Sequence, residues 1–199
     1  MGRIKTTSDA AVVEATFRVI HRLGPVRLTL AEVASEAGLA PATLLQRFGS
    51  KRGLLLAVAE TAAGGADECF ARARARHRSP MKALMTVLDE FASLADTPEA
   101  LANHLAFLEI DLTDPDFHRL ALENARRSIA GYKALLDGAV RAGELSRCNT
   151  GRLARAISSL AGGSLLNWAI LREGSAKKFL QRDVALLLAP LLSWRQRGP

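Results

Sequence analysis

His104 with Glu109 and His118 with Glu123 are the pairs in this chain best suited to moving protons, and each pair stands five residues apart. Side chains meet on a helix at three or four residues, so neither pair shares a face well. There is no HExxH sequence and no glycine-rich phosphate loop. Cys69 and Cys148 have no Cys or His neighbour at metal-ligand spacing, so neither a zinc site nor a disulfide framework is indicated. Both are expected as reduced thiols in ordinary packing, with a redox sensor as the lesser reading. Catalysis, a resident metal and a cofactor are therefore not expected. What does gather is positive charge. Residues 1–53 hold Arg3, Lys5, Arg18, Arg22, Arg27, Arg47, Lys51 and Arg52 against Asp9, Glu14, Glu32 and Glu36, in a chain of net charge +7. That excess suits a polyanionic partner.

The elements that carry this charge read as helical, because apolar residues recur at three- and four-residue spacing and β-branched residues never cluster in alternating runs. Val13, Thr16, Phe17 and Ile20 mark one face of a first helix, capped by Ser8 or Asp9 and closed at Gly24-Pro25. Thr29 to Glu32 form a capping box, in which the Thr29 hydroxyl accepts from the Glu32 amide and the Glu32 carboxylate accepts from the Thr29 amide. This second helix ends at Gly38, a residue suited to the left-handed conformation that follows a helix C-terminus. Pro41 opens a third short helix with Leu44 and Phe48 as its buried pair, and Ser50 caps a fourth that starts at Lys51. Two short helices about a glycine turn, followed by Lys51-Arg52, have the layout of a helix-turn-helix.

A chain of 199 residues, 49% hydrophobic and 24% charged, has room for more than this head. The fourth helix is expected to run to about residue 77 with a kink or break at Gly64-Gly65. Ser79-Pro80, Thr97-Pro98 and Asp114-Pro115 each open another helix, and Gly143 stops the last of these. Thr150 is expected to cap a helix through Leu171, and a final one to span about Ala176 to Trp194 with Pro190 ending or bending it. The reading is an all-α fold of about nine helices: a three-helix head over 1–54 and a helical C-terminal domain over 55–199. The apolar run Val184 to Trp194 contains Pro190 and is too short for a membrane span. The first residues lack the apolar stretch of an export signal, so a cytoplasmic location is expected.

Residues 12–56 resemble the DNA-binding domain of TetR-type transcriptional regulators. Thr29, Val33, Ala34, Ala37-Gly38-Leu39, Thr43-Leu44, Phe48, Ser50-Lys51 and Leu54 fall at that family's spacing without insertion. The resemblance implies that Ala40, Pro41, Ala42, Thr43, Leu45, Gln46 and Arg47 line the DNA side of the third helix, with Thr29 and Lys51 holding phosphates. Two positions depart from the pattern. Ala40 stands where the family commonly has a capping Ser or Thr, and Leu45 where it commonly has a Tyr, so backbone anchoring is weaker or differently placed. Leu45 either meets a thymine methyl or adds packing. Gln46 can bond adenine N6 and N7, and Arg47 guanine O6 and N7; a phosphate contact or a solvated charge is the other reading for Arg47. Arg3 and Lys5 either add salt-dependent attraction or are simply solvated.

The same resemblance implies a two-fold dimer and a small-molecule effector. In the Thr150 to Leu171 helix, Leu153, Ile157, Leu160, Ser164, Trp168 and Leu171 form one stripe, and Ala156, Ser159, Gly163, Leu166 and Ile170 form a second, rich in small residues. The first stripe is expected to face its own domain and the second a partner helix. With Val184, Leu187, Leu188 and Leu191 of the last helix this makes a four-helix dimer interface, the alternative being that all are intrachain core. Asn103, His104, Phe107, Asp111 and Trp168 are the candidate lining of an effector pocket, inferred from the family alone. Arg72, Arg74, Arg76 and Arg78 read first as a solvated helix end favoured by the dipole, and second as a site for an anionic effector. The function expected is a repressor that binds a pseudo-palindromic operator as a homodimer and is released by its effector. The alternative is a helical adaptor that uses the helix-turn-helix for protein contacts alone.

Overall fold

The computed structural model describes residues 7–192. Among these, nine α-helices follow in order: α1 Asp9–Arg27, α2 Leu30–Ala37, α3 Pro41–Phe48, α4 Lys51–Arg76, α5 Pro80–Ala92, α6 Pro98–Thr113, α7 Pro115–Arg141, α8 Thr150–Leu171 and α9 Ala176–Leu188. The one β-type pairing described is an isolated bridge between Leu145 and Leu192. Local chemistry sets most helix starts. Ser8, Thr29, Ser79 and Ser175 each accept a hydrogen bond from an amide in the first turn of the helix they precede. For α8 the cap is Asn149, whose side-chain oxygen accepts from the Arg152 amide at 3.0 Å, while the Thr150 hydroxyl donates to Asp137 at 2.6 Å. α1 loses its helical course at Gly24, where φ is 72°, just before Pro25.

The expected break at Gly64-Gly65 does not occur, and α4 runs unbroken from Lys51 to Arg76. The two glycines cost roughly 1 kcal/mol each in helix propensity. Buried Leu54, Leu55 and Val58 before them and buried Phe70 and Ala73 after them hold the backbone in register. At the other end of the chain, α9 stops at Leu188 and a 3-10 turn, Ala189–Leu191, follows with Pro190 inside it. The readings of Arg3, Lys5 and Trp194 lie outside the described residues.

Two compact units emerge. The first reaches to Ala63 and includes Ala102–Ala121; the second comprises Gly64–Leu101 and the described residues from Leu122 onward. The first is therefore larger than the head expected over 1–54, because Leu55, Val58 and Phe117 belong to the same apolar core as Val12, Ile20, Val33 and Leu44. The second unit is built on Leu84, Leu88, Leu136, Ile157, Leu180 and Leu188, all at most 2% exposed. Tyr132 meets Phe70 edge to face at 5.0 Å in the same core. Burial then pushes the Tyr132 phenol up to about 12. Ser164, buried within it, donates to Asp183 at 2.8 Å, so its hydroxyl is satisfied.

Candidate nucleic-acid interface

The turn between α2 and α3 is made by Gly38, whose φ of 66° few side chains tolerate. Its amide donates to the Ser35 carbonyl at 3.3 Å and the Leu39 amide to the Ala34 carbonyl at 2.8 Å. This double bond pattern closes the end of α2 and aims the chain at Pro41. Leu44, 0% exposed, then anchors α3 in the core. That anchor turns Ala40, Pro41, Ala42, Leu45, Gln46 and Arg47 to the exposed side, with Thr43 half-buried at its edge. Leu45 is 52% exposed. Gln46 carries no side-chain hydrogen bond to another described residue, so its amide is open to an external partner.

Two further candidate donors are placed beside α3 by capping chemistry. The Thr29 hydroxyl accepts from the Glu32 amide at 3.2 Å, which leaves its own hydrogen to donate elsewhere. The returning half of the capping box does not form; the Glu32 carboxylate lies 3.6 Å from Arg22 instead. Lys51 donates to the Val26 carbonyl at 3.0 Å, and an ammonium has two more N–H groups to offer.

Most of the arginines of this unit are already engaged. Arg47 donates through Nε to Asp9 at 2.6 Å and through Nη1 to the Thr7 carbonyl at 2.8 Å, with a further contact from Nη2 to Asp9. It is a latch between α3 and the start of α1. Arg52 is clasped by Asp114 at 2.8 Å and Asp116 at 2.7 Å. These two carboxylates, Asp116 the more strongly, raise its pKa further. The Asp114 carboxyl loses some hydration, yet the Arg52 bond holds it below the usual range. Arg18 and Arg22 bind Glu36 at 2.7 and 3.4 Å, and the Arg18 bond is the main cause that keeps Glu36 below its ordinary value. Counted by sequence, residues 1–63 and 102–121 hold nine bases and nine acids, whereas the remainder holds eighteen against eleven. The excess seen in the first 53 residues is cancelled by Glu60 of α4 and by Glu109, Asp111, Asp114 and Asp116, which outnumber Arg119 in the segment 102–121.

Residues 12–58 match the family described as bacterial regulatory proteins, tetR family. Over those residues the helix-turn-helix of this chain is similar to that family's. The HTH-type transcriptional regulator BetI of Rhizobium meliloti strain 1021 is 35% identical over 135 residues, covering 63% of this chain and 64% of that protein. BetI of Agrobacterium fabrum is 30% identical over 128 residues, covering 64% and 62%. The chain thus spans under two thirds of the length of these relatives. Among solved structures, a TetR transcription regulator from Haloarcula marismortui matches with a TM-score of 0.77 at 16% identity, over 93% of this chain and 98% of that one. FadR from Bacillus subtilis, solved with stearoyl-CoA, matches at 0.69 and 17% identity, over 92% and 100%. These likenesses show a shared all-α fold with a helix-turn-helix and a C-terminal helical domain.

In this chain the residues expected around an effector are used for packing. Asn103 donates to the His21 carbonyl at 2.9 Å, and its Oδ1 is 2.9 Å from where a Cβ on Gly24 would stand. His104 pairs with His21, their ring nitrogens 3.4 Å apart. Phe107 packs on the core of the first unit, and burial pushes the half-buried Asp111 carboxyl up. Trp168 belongs to the second unit, where it is 5% exposed and donates to the Gly174 carbonyl at 3.1 Å.

The two stripes of α8 separate by burial. Leu153, Ile157, Ser164 and Trp168 are buried, whereas Ala156, Ser159, Gly163, Leu166 and Ile170 are exposed. Leu171, placed on the inward stripe from spacing, is 55% exposed at the helix end. On α9 the expected face is corrected. Val184 and Leu188 are 0% and 2% exposed and belong to the core with Leu180; Leu187 and Leu191 are half-buried; Leu186, not anticipated, is 68% exposed. A helix with leucines on every side does not reveal from spacing alone which of them faces inward. Sequence reasoning also missed Asp9 and the Asp114–Asp116 pair as arginine partners. Their one local signal was a position at a helix start, which suggests a cap and not a distant guanidinium. Among the described residues no helix is long and apolar enough to cross a membrane, and no cluster of three His, Cys, Asp or Glu side chains could hold a metal.

Proposed function

We propose that this chain is a DNA-binding transcriptional regulator that acts in the cytoplasm as a homodimer and represses transcription until a small-molecule effector releases it. The observation that carries the reading is α3, anchored by Leu44 and open along Ala40, Pro41, Ala42, Leu45 and Gln46. Its eight residues span about 12 Å at 1.5 Å per residue, a length suited to a major groove about 12 Å wide. Gln46 reads adenine, Leu45 meets a thymine methyl, and Ala40, Pro41, Ala42 and Thr43 line the groove. Thr29 and Lys51 hold phosphates. Arg47 reaches DNA by exchanging Asp9 for a phosphate or a base edge.

One short helix reads few base pairs, so two copies must act together with their reading helices about 34–36 Å apart. The exposed stripe Ala156, Ser159, Gly163, Leu166 and Ile170 supplies the partner contact, flanked by Leu187, Leu191 and Leu186. Its small residues let a second helix approach closely. An effector then works through its differential affinity for two arrangements of the dimer. The FadR relative, solved with stearoyl-CoA, supports a fold able to accept such a ligand.

A mobility-shift assay with the DNA flanking its own gene tests the reading. Wild-type protein is expected to retard that DNA in preference to scrambled DNA at physiological salt. Absence of any retardation at low salt would overturn it in favour of a helical adaptor that binds protein partners.

A further inference from the structure

We propose that the second unit carries a binding cleft for a small organic carboxylate with a compact apolar body, set between the end of α4, the start of α5 and the last turns of α7. The cleft has a volume of about 260 Å³. Its open rim is formed by Arg74, His77 and Arg141, and its floor by Pro80, Ala83 and Leu135, the last two only 1% and 2% exposed. α5 and α7 come close here because position 138 is glycine. A Cβ at that position would stand 3.2 Å from the Pro80 ring and 3.9 Å from an Arg141 Nη atom, so the Arg141 guanidinium lies beside Gly138.

The charge at the rim is compensated only in part: Asp137 interacts with Arg141 through space, but behind its closer bonds to Lys133 and Thr150. No acidic side chain lines the cleft. Among the described residues neither Arg74 nor Arg141 has a carboxylate at ion-pair distance, whereas Arg72, two residues before Arg74, binds Glu90 at 3.0 Å. The acids on the neighbouring elements make their direct bonds elsewhere. Asp137 takes Lys133 at 2.7 Å and Thr150 at 2.6 Å, and Glu144 accepts the Met81 amide at 2.9 Å. His77 is held by Thr86 at 2.8 Å between its ring Nε2 and the hydroxyl, which fixes the ring at the rim. Two arginines lining one cleft with an apolar floor match a carboxylate head on a hydrophobic body, because arginine binds carboxylates in a planar fork. The size sets the class: the cleft falls below the roughly 300–1,000 Å³ of sites for drug-sized ligands, so a single ring or a short chain is its natural guest.

The inference does not rest on DNA binding, and its test uses none. Amide chemical shifts of the full-length chain would be followed on addition of benzoate, benzyl alcohol and inorganic phosphate. Benzoate is expected to shift amides of α5 and α7 around the cleft, with affinity falling about tenfold in Arg74→Gln and in Arg141→Gln. Benzyl alcohol, which keeps the ring and lacks the charge, is expected to bind about tenfold more weakly. Ala134→Phe, which fills the cleft and leaves the arginines, should abolish benzoate binding while thermal unfolding stays as in wild type. The proposal is overturned by the absence of benzoate-induced shifts at the cleft, by affinity unchanged in both arginine variants, or by phosphate binding there as tightly as benzoate.

Discussion

The outward side of α3 and the outward side of α8 are both helix faces held open by a buried face behind them, yet they offer opposite chemistry. α3 presents Gln46 and Leu45 beside the donors of Thr29 and Lys51, with Arg47 tied to Asp9. α8 presents Ala156, Ser159 and Gly163 with Leu166 and Ile170, the last two 46% and 70% exposed. A wet polyanion is read by the first kind of surface, through directed donors and waters. A second protein surface is matched by the other, through close packing and excluded water. The difference teaches that exposure alone does not name a partner; the groups around the exposed face do.

Removing the anchor under one face alone gives the largest effect. Leu44→Ala should cost about 2–5 kcal/mol of stability in the first unit and abolish DNA retardation, while self-association measured by light scattering persists. Equal loss of both would show that the two faces are not independent. Next comes Leu166→Asp with Ile170→Asp, which should weaken self-association by about 2–4 kcal/mol and leave the thermal unfolding of the monomer near that of wild type. An unchanged dimer on light scattering would place the partner contact elsewhere.

A smaller effect separates reading from holding within the α3 face. Gln46→Ala should relax preference by about 1–3 kcal/mol at one base position in each half-site. Lys51→Ala should instead weaken every sequence alike and flatten the salt dependence. Identical behaviour of the two variants across a panel of operators would refute the division of roles. Thr29→Ala removes the α2 cap and should cost about 0.5–2 kcal/mol in thermal unfolding.

The smallest effect is on pH. Glu36 is held below its ordinary value of 4.5, chiefly by the Arg18 hydrogen bond. Its contribution is therefore complete above that ordinary value and is lost as pH falls through the lower folded value. The stability gap between wild type and Glu36→Gln should be present at about pH 6 and shrink as pH falls below the ordinary value. A gap that widens on acidification would contradict the pairing.

The helix-turn-helix was legible because its code is local. Thr29, Gly38, Pro41 and Ser50 each act on their own backbone within a few residues, so reading them needs no tertiary knowledge. The stripes of α8 were legible from spacing, because residues three and four apart share a face; size did not sort them, since buried Ala154 and Ala161 are as small as exposed Ala156. The partners of Arg47 and Arg52 lie 38 and 62 residues away in sequence, and nothing local announces them. Asn103 and His104 looked like ligand groups for the same reason; polar side chains on an apolar helix are ambiguous until the helix against them is known, and here it is α1. On α9 the error was one of phase. Leu186, Leu187 and Leu188 are consecutive, and only packing decides which one points outward.

The equal number of acids and bases in the first unit has a consequence for how such a reader would search a genome. A head with no net charge draws little on long-range attraction of its own, so its hold on duplex would rest on the few donors that meet phosphates directly. Occupancy would then be governed by how long α3 stays once seated, which makes departure, more than arrival, the step a chemical signal has to change.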